Sequence, residues 1–309
     1  MGGILEVGMV FLGTSAGTPT RYRGLPGLVL KYRGSLLLFD CGEGTQYRLV
    51  EAGLSPLKIK AIFITHLHGD HVFGLPGLIQ SMAMNNRRED LYIYGPRGIA
   101  DMLEAVFEAT KFTPPFNIHV VEVGGGEKFR VLDRVWVSVF PVRHTVEAYG
   151  YTVYEEPRPG KVDVEKARKL GIEPGPLLGL LQRGVPVSVG GRLVRPEEVV
   201  GKPRPGFRLV YTGDTAPIDG LRKLVGFDSV DVLVHDATFT SEYELEAHEE
   251  GHSTAFDAAR AAIELGAKLL VLTHFSARYR SPEPLVSEAS RFHPNVVAAE
   301  DLLKLPIRL

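Results

Sequence analysis

Thr65-His66-Leu67-His68-Gly69-Asp70-His71 closes a short apolar run, Ala61–Thr65. Such a run, ending in polar residues, predicts a buried strand. Four side chains able to hold a metal then fall within six residues. In extended chain, residues i and i+2 point the same way, so His66 and His68 can share one ion. Gly69 allows a sharp turn, and the next stretch reads as a helix over His71–Asn85. Asp70 and His71 sit at its start, aimed at a second ion. Neutral imidazoles and carboxylates suit Zn²⁺. Scattered surface histidines are the alternative, and they would not give this density.

Working outward, strands are expected at Leu5–Leu12, Gly27–Tyr32 and Ser35–Asp40, with a tight turn at Arg33-Gly34. Further strands are expected at Leu91–Tyr94, Ile118–Val123, Trp136–Pro141 and Tyr149–Tyr154, and a helix at Gly98–Thr110. Past residue 208 come strands Leu209–Thr212, Val230–His235, Lys268–Thr273 and Val296–Ala298, and helices Ser253–Leu265 and Pro282–Phe292. Strands before helices, twice over, predict an α/β chain with two sheets sandwiched between helices.

Pro157–Arg208 breaks this pattern with eight Pro and nine Gly. One helix fits inside it, Val162–Leu170, with Asp163 in its first turn. It carries eleven Lys/Arg against five Asp/Glu, a net of +6 on a chain whose total is −2. A basic segment on an acidic body marks a surface for a polyanion, and a solvated loop is the plainer alternative.

Cys41 is the single cysteine, so no disulfide forms within the chain, which fits a reducing cytosol. There is no run of eighteen apolar residues for a membrane span. Met1–Glu6 lacks the features of a signal peptide. Only four Asn and three Gln occur, a scarcity of thermolabile amides that points to a hot-growing source.

His-x-His-x-Asp-His after a strand resembles the metallo-β-lactamase superfamily. The resemblance implies a four-layer αβ/βα sandwich over residues 1–309, with residues 157–208 as an inserted, protruding, basic arm. It implies two Zn²⁺ per chain, with Mn²⁺ or another divalent ion as an alternative. One zinc would be held by His66, His68, His144 and Asp214. The other would be held by Asp70, His71, Asp214 and His274, with Asp214 bridging. His144, Asp214 and His274 each follow an apolar strand. Taken singly, each reads equally as a capping aspartate or a hydrogen-bonded histidine. Asp40 ends the strand Ser35–Asp40 and reads either as support for a histidine ligand or as a turn residue.

Finer motifs resemble the RNase Z family. His235-Asp236-Ala237-Thr238 is similar to its His-Glu-Ala-Thr loop, with Asp for Glu. His252-Ser253-Thr254 is similar to its His-Ser-Thr loop. Pro19-Thr20-Arg21-Tyr22-Arg23-Gly24 is similar to its Pro-x-Lys-x-Arg-Asn loop, with Arg for Lys and Gly for Asn. His274-Phe275-Ser276-Ala277-Arg278-Tyr279 also fits, and Gly175-Pro176 matches the exosite. The resemblance implies cleavage of precursor tRNA after the discriminator nucleotide by a cytoplasmic enzyme, commonly a homodimer, with no membrane partner. Asp70 would orient the nucleophile. His252 would protonate the leaving oxygen, with Asp236 as its carboxylate partner; a plain loop histidine is the alternative. Arg21, Arg23, Arg278, Lys161, Lys166, Arg168 and Lys169 would grip phosphates, which position a substrate without reading its sequence. Two rivals stand beside this reading. One is a small-molecule phosphodiesterase, lactonase or arylsulfatase-like hydrolase. The other is an RNA-binding module with a decayed site.

Overall fold

The computed structural model describes residues 7–307. The expected strand Leu5–Leu12 begins outside the described residues, as does all of Met1–Glu6. By contact density the chain divides into two compact units. Residues up to Val153 and those from Arg208 onward form one, and Tyr154–Phe207 forms the other.

The larger unit opens with β1 (Val7–Gly13), β2 (Gly27–Tyr32), β3 (Ser35–Phe39), β4 (Ile59–Phe63), β5 (Leu91–Gly95) and β6 (Ile118–Glu122). Helices α1 (Thr45–Glu51), α2 (Gly69–Val72), α3 (Gly74–Met84) and α4 (Ile99–Thr110) interleave with them. A second sheet begins with β7 (Lys128–Leu132), β8 (Val135–Pro141) and β9 (Tyr149–Glu155). The expected helix from His71 thus starts earlier, at Gly69, in two pieces meeting at Phe73.

The first sheet holds β3 to β6 in parallel, so their carboxyl ends share one edge. Parallel strands covered on both faces read as continuous apolar runs. In β3, Leu36 and Leu38 pack toward the helices, in a cluster with Leu49 of α1, Leu75 and Ile79 of α3 and Leu103 of α4. Phe39 instead meets Phe63 of β4 at 5.0 Å and Tyr151 of β9 at 6.1 Å. Phe63 and Tyr151 lie 5.3 Å apart. These rings join the two sheets. Truncating a buried Phe such as Phe39 to Ala costs about 3–5 kcal/mol.

The smaller unit contains α5 (Val164–Lys169), α6 (Pro176–Gln182), the hairpin β10 (Val187–Val189) with β11 (Arg192–Val194), and α7 (Pro196–Val199). The sequence led us to expect one helix here. The other elements escape notice because each is seven residues or shorter, too brief to show a period. They enclose their own core of Ala167, Ile172, Leu178, Leu181, Val187, Val194 and Val199. Asp163 caps α5 by accepting from the Lys166 amide at 3.0 Å. An antiparallel stem closes the unit, with Val162 bridging Val200 and Arg158 bridging Arg204.

The chain returns through β12 (Arg208–Tyr211), α8 (Leu221–Val225), β13 (Val232–Asp236), α9 (Glu244–Glu249), α10 (Ala255–Glu264), β14 (Leu269–Thr273), α11 (Glu283–Ala289), β15 (Val296–Ala298) and β16 (Lys304–Pro306). β12 to β15 are parallel and finish the second sheet, ordered β15-β14-β13-β12-β9-β8-β7. β16 pairs with β1 at the edge of the first sheet. α8, α10 and α11 cover the second sheet through Leu221, Ala258, Ala262 and Leu285. The layers run helix, sheet, sheet, helix, as expected.

Candidate metal centre

Carboxyl ends of strands from both sheets deliver the candidate ligands. Asp40 follows β3, His66 follows β4, Asp214 follows β12 and His274 follows β14. His68 is the extended residue that caps α2, and Asp70 and His71 lie in its single turn. Gly213 has φ +62, and a Cβ there would lie 2.6 Å from the Thr65 side chain. Glycine lets the end of β12 close against the end of β4.

His66, His68 and His144 bring ligand atoms within 4.8 Å of one another, and so do Asp70, His71, Asp214 and His274. Asp214 Oδ2 lies 3.2 Å from His274 Nε2, 3.3 Å from His71 Nε2 and 3.8 Å from His66 Nε2. It stands between the two groups. All seven residues named from the sequence as ligands are therefore brought together.

Two carboxylates behind the cluster fix the rings. Asp40 accepts from the Thr65 amide (2.8 Å), His71 Nδ1 (2.8 Å), Tyr211 Oη (2.8 Å) and Thr65 Oγ1 (3.0 Å). His66 Nδ1 in turn lies 3.0 Å from Thr65 Oγ1. Asp236 accepts from the Thr215 and Thr238 amides, Thr238 Oγ1 and His252 Nδ1. His274 Nδ1 lies 3.0 Å from Thr238 Oγ1. His144 Nδ1 donates to the Gly251 carbonyl at 2.8 Å, and Gly251, at φ +78, leaves no room for a Cβ against that ring. Such outer partners set tautomer and orientation in metal sites. Asp40 and His274 hold left-handed backbone at φ 55 and 62, strain of the kind functional sites retain.

The donor set fits a cation. His66 Nε2, His71 Nε2, His274 Nε2 and Asp214 Oδ1 are buried without a hydrogen-bond partner. Unpaired buried acceptors are costly, and one or two divalent cations would meet all four. The charges agree. Burial works to raise the Asp214 carboxyl, but His274 and His71 outweigh it and hold it well below the usual range. Burial works to lower His71, yet Asp214 and Asp40 push it well above its ordinary value. His66, most affected by burial and next by His71, falls well below. The cluster of carboxylates demands positive charge at its centre.

His252 is not among the orphaned atoms. Its Nδ1 is 2.9 Å from Asp236 Oδ2 and 4.0 Å from Asp214 Oδ2, and its ring stacks 5.1 Å from that of His274. Burial opposes its charge, but Asp236 pushes it up to about 9. The shorter Asp still reaches the ring. Arg21 is exposed beside exposed Tyr22. Arg23 is buried, with its guanidinium donating to the Tyr279 carbonyl at 2.6 Å and lying over the Phe275 ring. Arg278 pairs with Glu246 at 2.6 Å and lies over Phe239 and Tyr243. Neither Arg23 nor Arg278 is directed to solvent alone, as a simple phosphate grip would be. Lys161, Lys166, Arg168 and Lys169 are exposed in the smaller unit.

Residues 198–275 match a family model described as the beta-lactamase superfamily domain, and residues 7–154 match one described as anti-Pycsar protein Apyc1. Ribonuclease Z of Methanothermobacter thermautotrophicus is 43% identical over 97% of this chain and 96% of its own length. Ribonuclease Z of Ignicoccus hospitalis is 45% identical over 96% and 97%. The chain belongs to the ribonuclease Z family. Its fold is the metallo-β-lactamase sandwich, and it is an endonuclease that hydrolyses phosphodiester bonds. The structure of the short form of human tRNase Z superposes with a TM-score of 0.72 at 28% identity, covering 98% of this chain and 100% of that one.

For this ribonuclease Z family member, sequence reasoning missed Thr65, Tyr211, Thr238 and the Gly251 carbonyl. Thr65 touches His66 in sequence, and Thr238 sits two residues past Asp236. Their places in the Thr65–His71 stretch and the His235–Thr238 motif were the signal, but a threonine hydroxyl carries no ligand signature of its own. No helix of the described residues is long and apolar enough to cross a membrane.

Proposed function

We propose that the chain removes 3′ trailers from precursor tRNA, cutting just after the discriminator nucleotide. The observation that carries this reading is the assembled ligand set with His252 held beside it by Asp236. The ribonuclease Z relatives supply the substrate class. His66, His68, His144 and Asp214 would hold one Zn²⁺, and Asp70, His71, Asp214 and His274 the other, with Mn²⁺ able to substitute. Bound cations supply a water of lowered pKa and positive charge against the phosphoryl oxygens.

Asp70 orients the attacking water; its Oδ2 is itself fixed by the Gly17 amide at 3.0 Å. Water loses one proton to solvent, its oxygen bonds to phosphorus, and the bond from phosphorus to the ribose 3′-oxygen breaks. His252 gives that oxygen its proton. The products are a tRNA ending in 3′-OH and a trailer beginning with 5′-phosphate. Arg21 contacts phosphate near the site. Residues 157–208 act as a substrate-binding arm of one metallo-β-lactamase-like domain, with Lys161, Lys166, Arg168 and Lys169 gripping the tRNA backbone. A cytoplasmic homodimer belongs to the same reading.

The test compares kcat/KM for a 3′-extended precursor tRNA with values for a small phosphodiester, a lactone and an aryl sulfate. A preference for the precursor is expected. A preference for any small substrate would replace this reading with the first rival.

A further inference from the structure

Thr238 stands between a metal-ligand candidate and a carboxylate, and its single hydroxyl proton decides how the histidine presents itself. Thr238 Oγ1 donates to Asp236 Oδ1 at 2.7 Å. Its proton being committed there, the oxygen can only accept from His274 Nδ1, 3.0 Å away. His274 Nδ1 therefore carries the ring proton. Nε2 is then the only ring nitrogen left to face a cation, and it is the buried, unpartnered atom facing Asp214. The Asp40–Thr65–His66 chain repeats the device on the other ligand group, with Thr65 Oγ1 committed to Asp40 and His66 Nε2 orphaned.

We infer that Thr238 is a positioning residue which locks the Nδ1–H tautomer of His274 for metal binding and ties that ligand to the carboxylate holding His252. This rests on the two-metal reading above. Asp236 keeps its other donors, the Thr215 and Thr238 amides and His252 Nδ1, when the hydroxyl is removed. The substitution Thr238→Val thus separates metal positioning from support of His252. Losing such a partner typically weakens a metal site by about 10–100-fold.

The experiment takes the full chain as wild type, Thr238→Val and Thr238→Ser. Zinc affinity of each equivalent is measured by chelator competition, and the His274 tautomer, Nδ1–H or Nε2–H, is read by ¹⁵N NMR of the zinc-loaded protein. Wild type binding fewer than two zinc ions would refute the two-metal reading itself. Given two, Thr238→Val should weaken one equivalent about 10–100-fold, spare the other, and lose the pure Nδ1–H signal. Thr238→Ser should keep both properties. Unchanged affinities in Thr238→Val, equal weakening of both equivalents, or a serine variant as weak as valine would each overturn the inference. Thermal denaturation of each variant shows whether it is folded. If Thr238→Val does not fold, the serine variant and the wild-type tautomer decide alone, and an Nε2–H tautomer in wild type overturns the inference.

Discussion

Asp236 and His252 are joined by a 2.9 Å hydrogen bond from the ring Nδ1 to Oδ2, and the other carboxylate oxygen is taken by Thr238. One aspartate thereby serves the proposed acid directly and the candidate ligand His274 through a hydroxyl. The two jobs can be told apart by which group is removed.

His252→Ala should slow precursor tRNA cleavage by roughly 10²–10⁴-fold, the usual worth of a general acid. An aryl phosphodiester has a far more acidic leaving group and should slow much less. Zinc content should hold, since His252 is not placed as a ligand. Equal slowing of both substrates at full zinc content would mean that another group is the acid.

Removing Lys161–Gly201 takes away most of the smaller unit but no ligand candidate. The flanking chains already lie side by side, with Arg158 and Arg204 exchanging backbone hydrogen bonds of 2.7 and 2.9 Å. Hydrolysis of bis-p-nitrophenyl phosphate should therefore be largely kept, while tRNA cleavage becomes much weaker. Binding of the intact protein to tRNA should weaken with salt, as counterion release requires. Gel-shift and rate assays check both, and equal tRNA cleavage with and without the segment would refute its role.

Arg23 and Arg21 should part company. The buried Arg23 guanidinium donates to backbone carbonyls, so Arg23→Ala should cost about 1.5–3 kcal/mol in denaturant unfolding, the range for hydrogen bonds to a charged group. Arg21→Ala should leave stability nearly unchanged and reduce the salt slope of tRNA binding. The reverse pattern would restore Arg23 as a phosphate contact.

Burial pushes the Cys41 thiol up to about 12. The neutral thiol is a poor nucleophile, so the native protein should resist iodoacetamide at pH 8 and react only when unfolded. Rapid labelling of the native protein, read by mass spectrometry, would contradict the burial.

The grouping of candidate ligands was legible in the sequence because its members are chemically distinctive and stand at or just beyond the ends of apolar strands. The parallel strands were legible too, since burial on both faces leaves continuous runs such as Leu36–Phe39. β7 was not, because its alternation spans only Lys128–Arg130 before Val131-Leu132 breaks it, and its identity depends on pairing with β8. The hairpin β10–β11 is defined by its own partner strand in the same way. The hydrogen bond of Arg23 to the Tyr279 carbonyl was not legible, because an arginine on a loop carries no sign of which carbonyls it will meet. Thr65 and Thr238 acquire their roles only once strands distant in sequence bring a carboxylate and a ring to either side of a hydroxyl.

The central claim is tested most directly by mapping both ends produced from a 3′-extended precursor tRNA, with zinc-loaded wild type and with His66→Ala. The account predicts one cut just after the discriminator, a 3′-OH on the tRNA and a 5′-phosphate on the trailer, and loss of the cut together with bound zinc in His66→Ala. A cut elsewhere, a 3′-phosphate on the tRNA, or full cleavage by folded His66→Ala would contradict it.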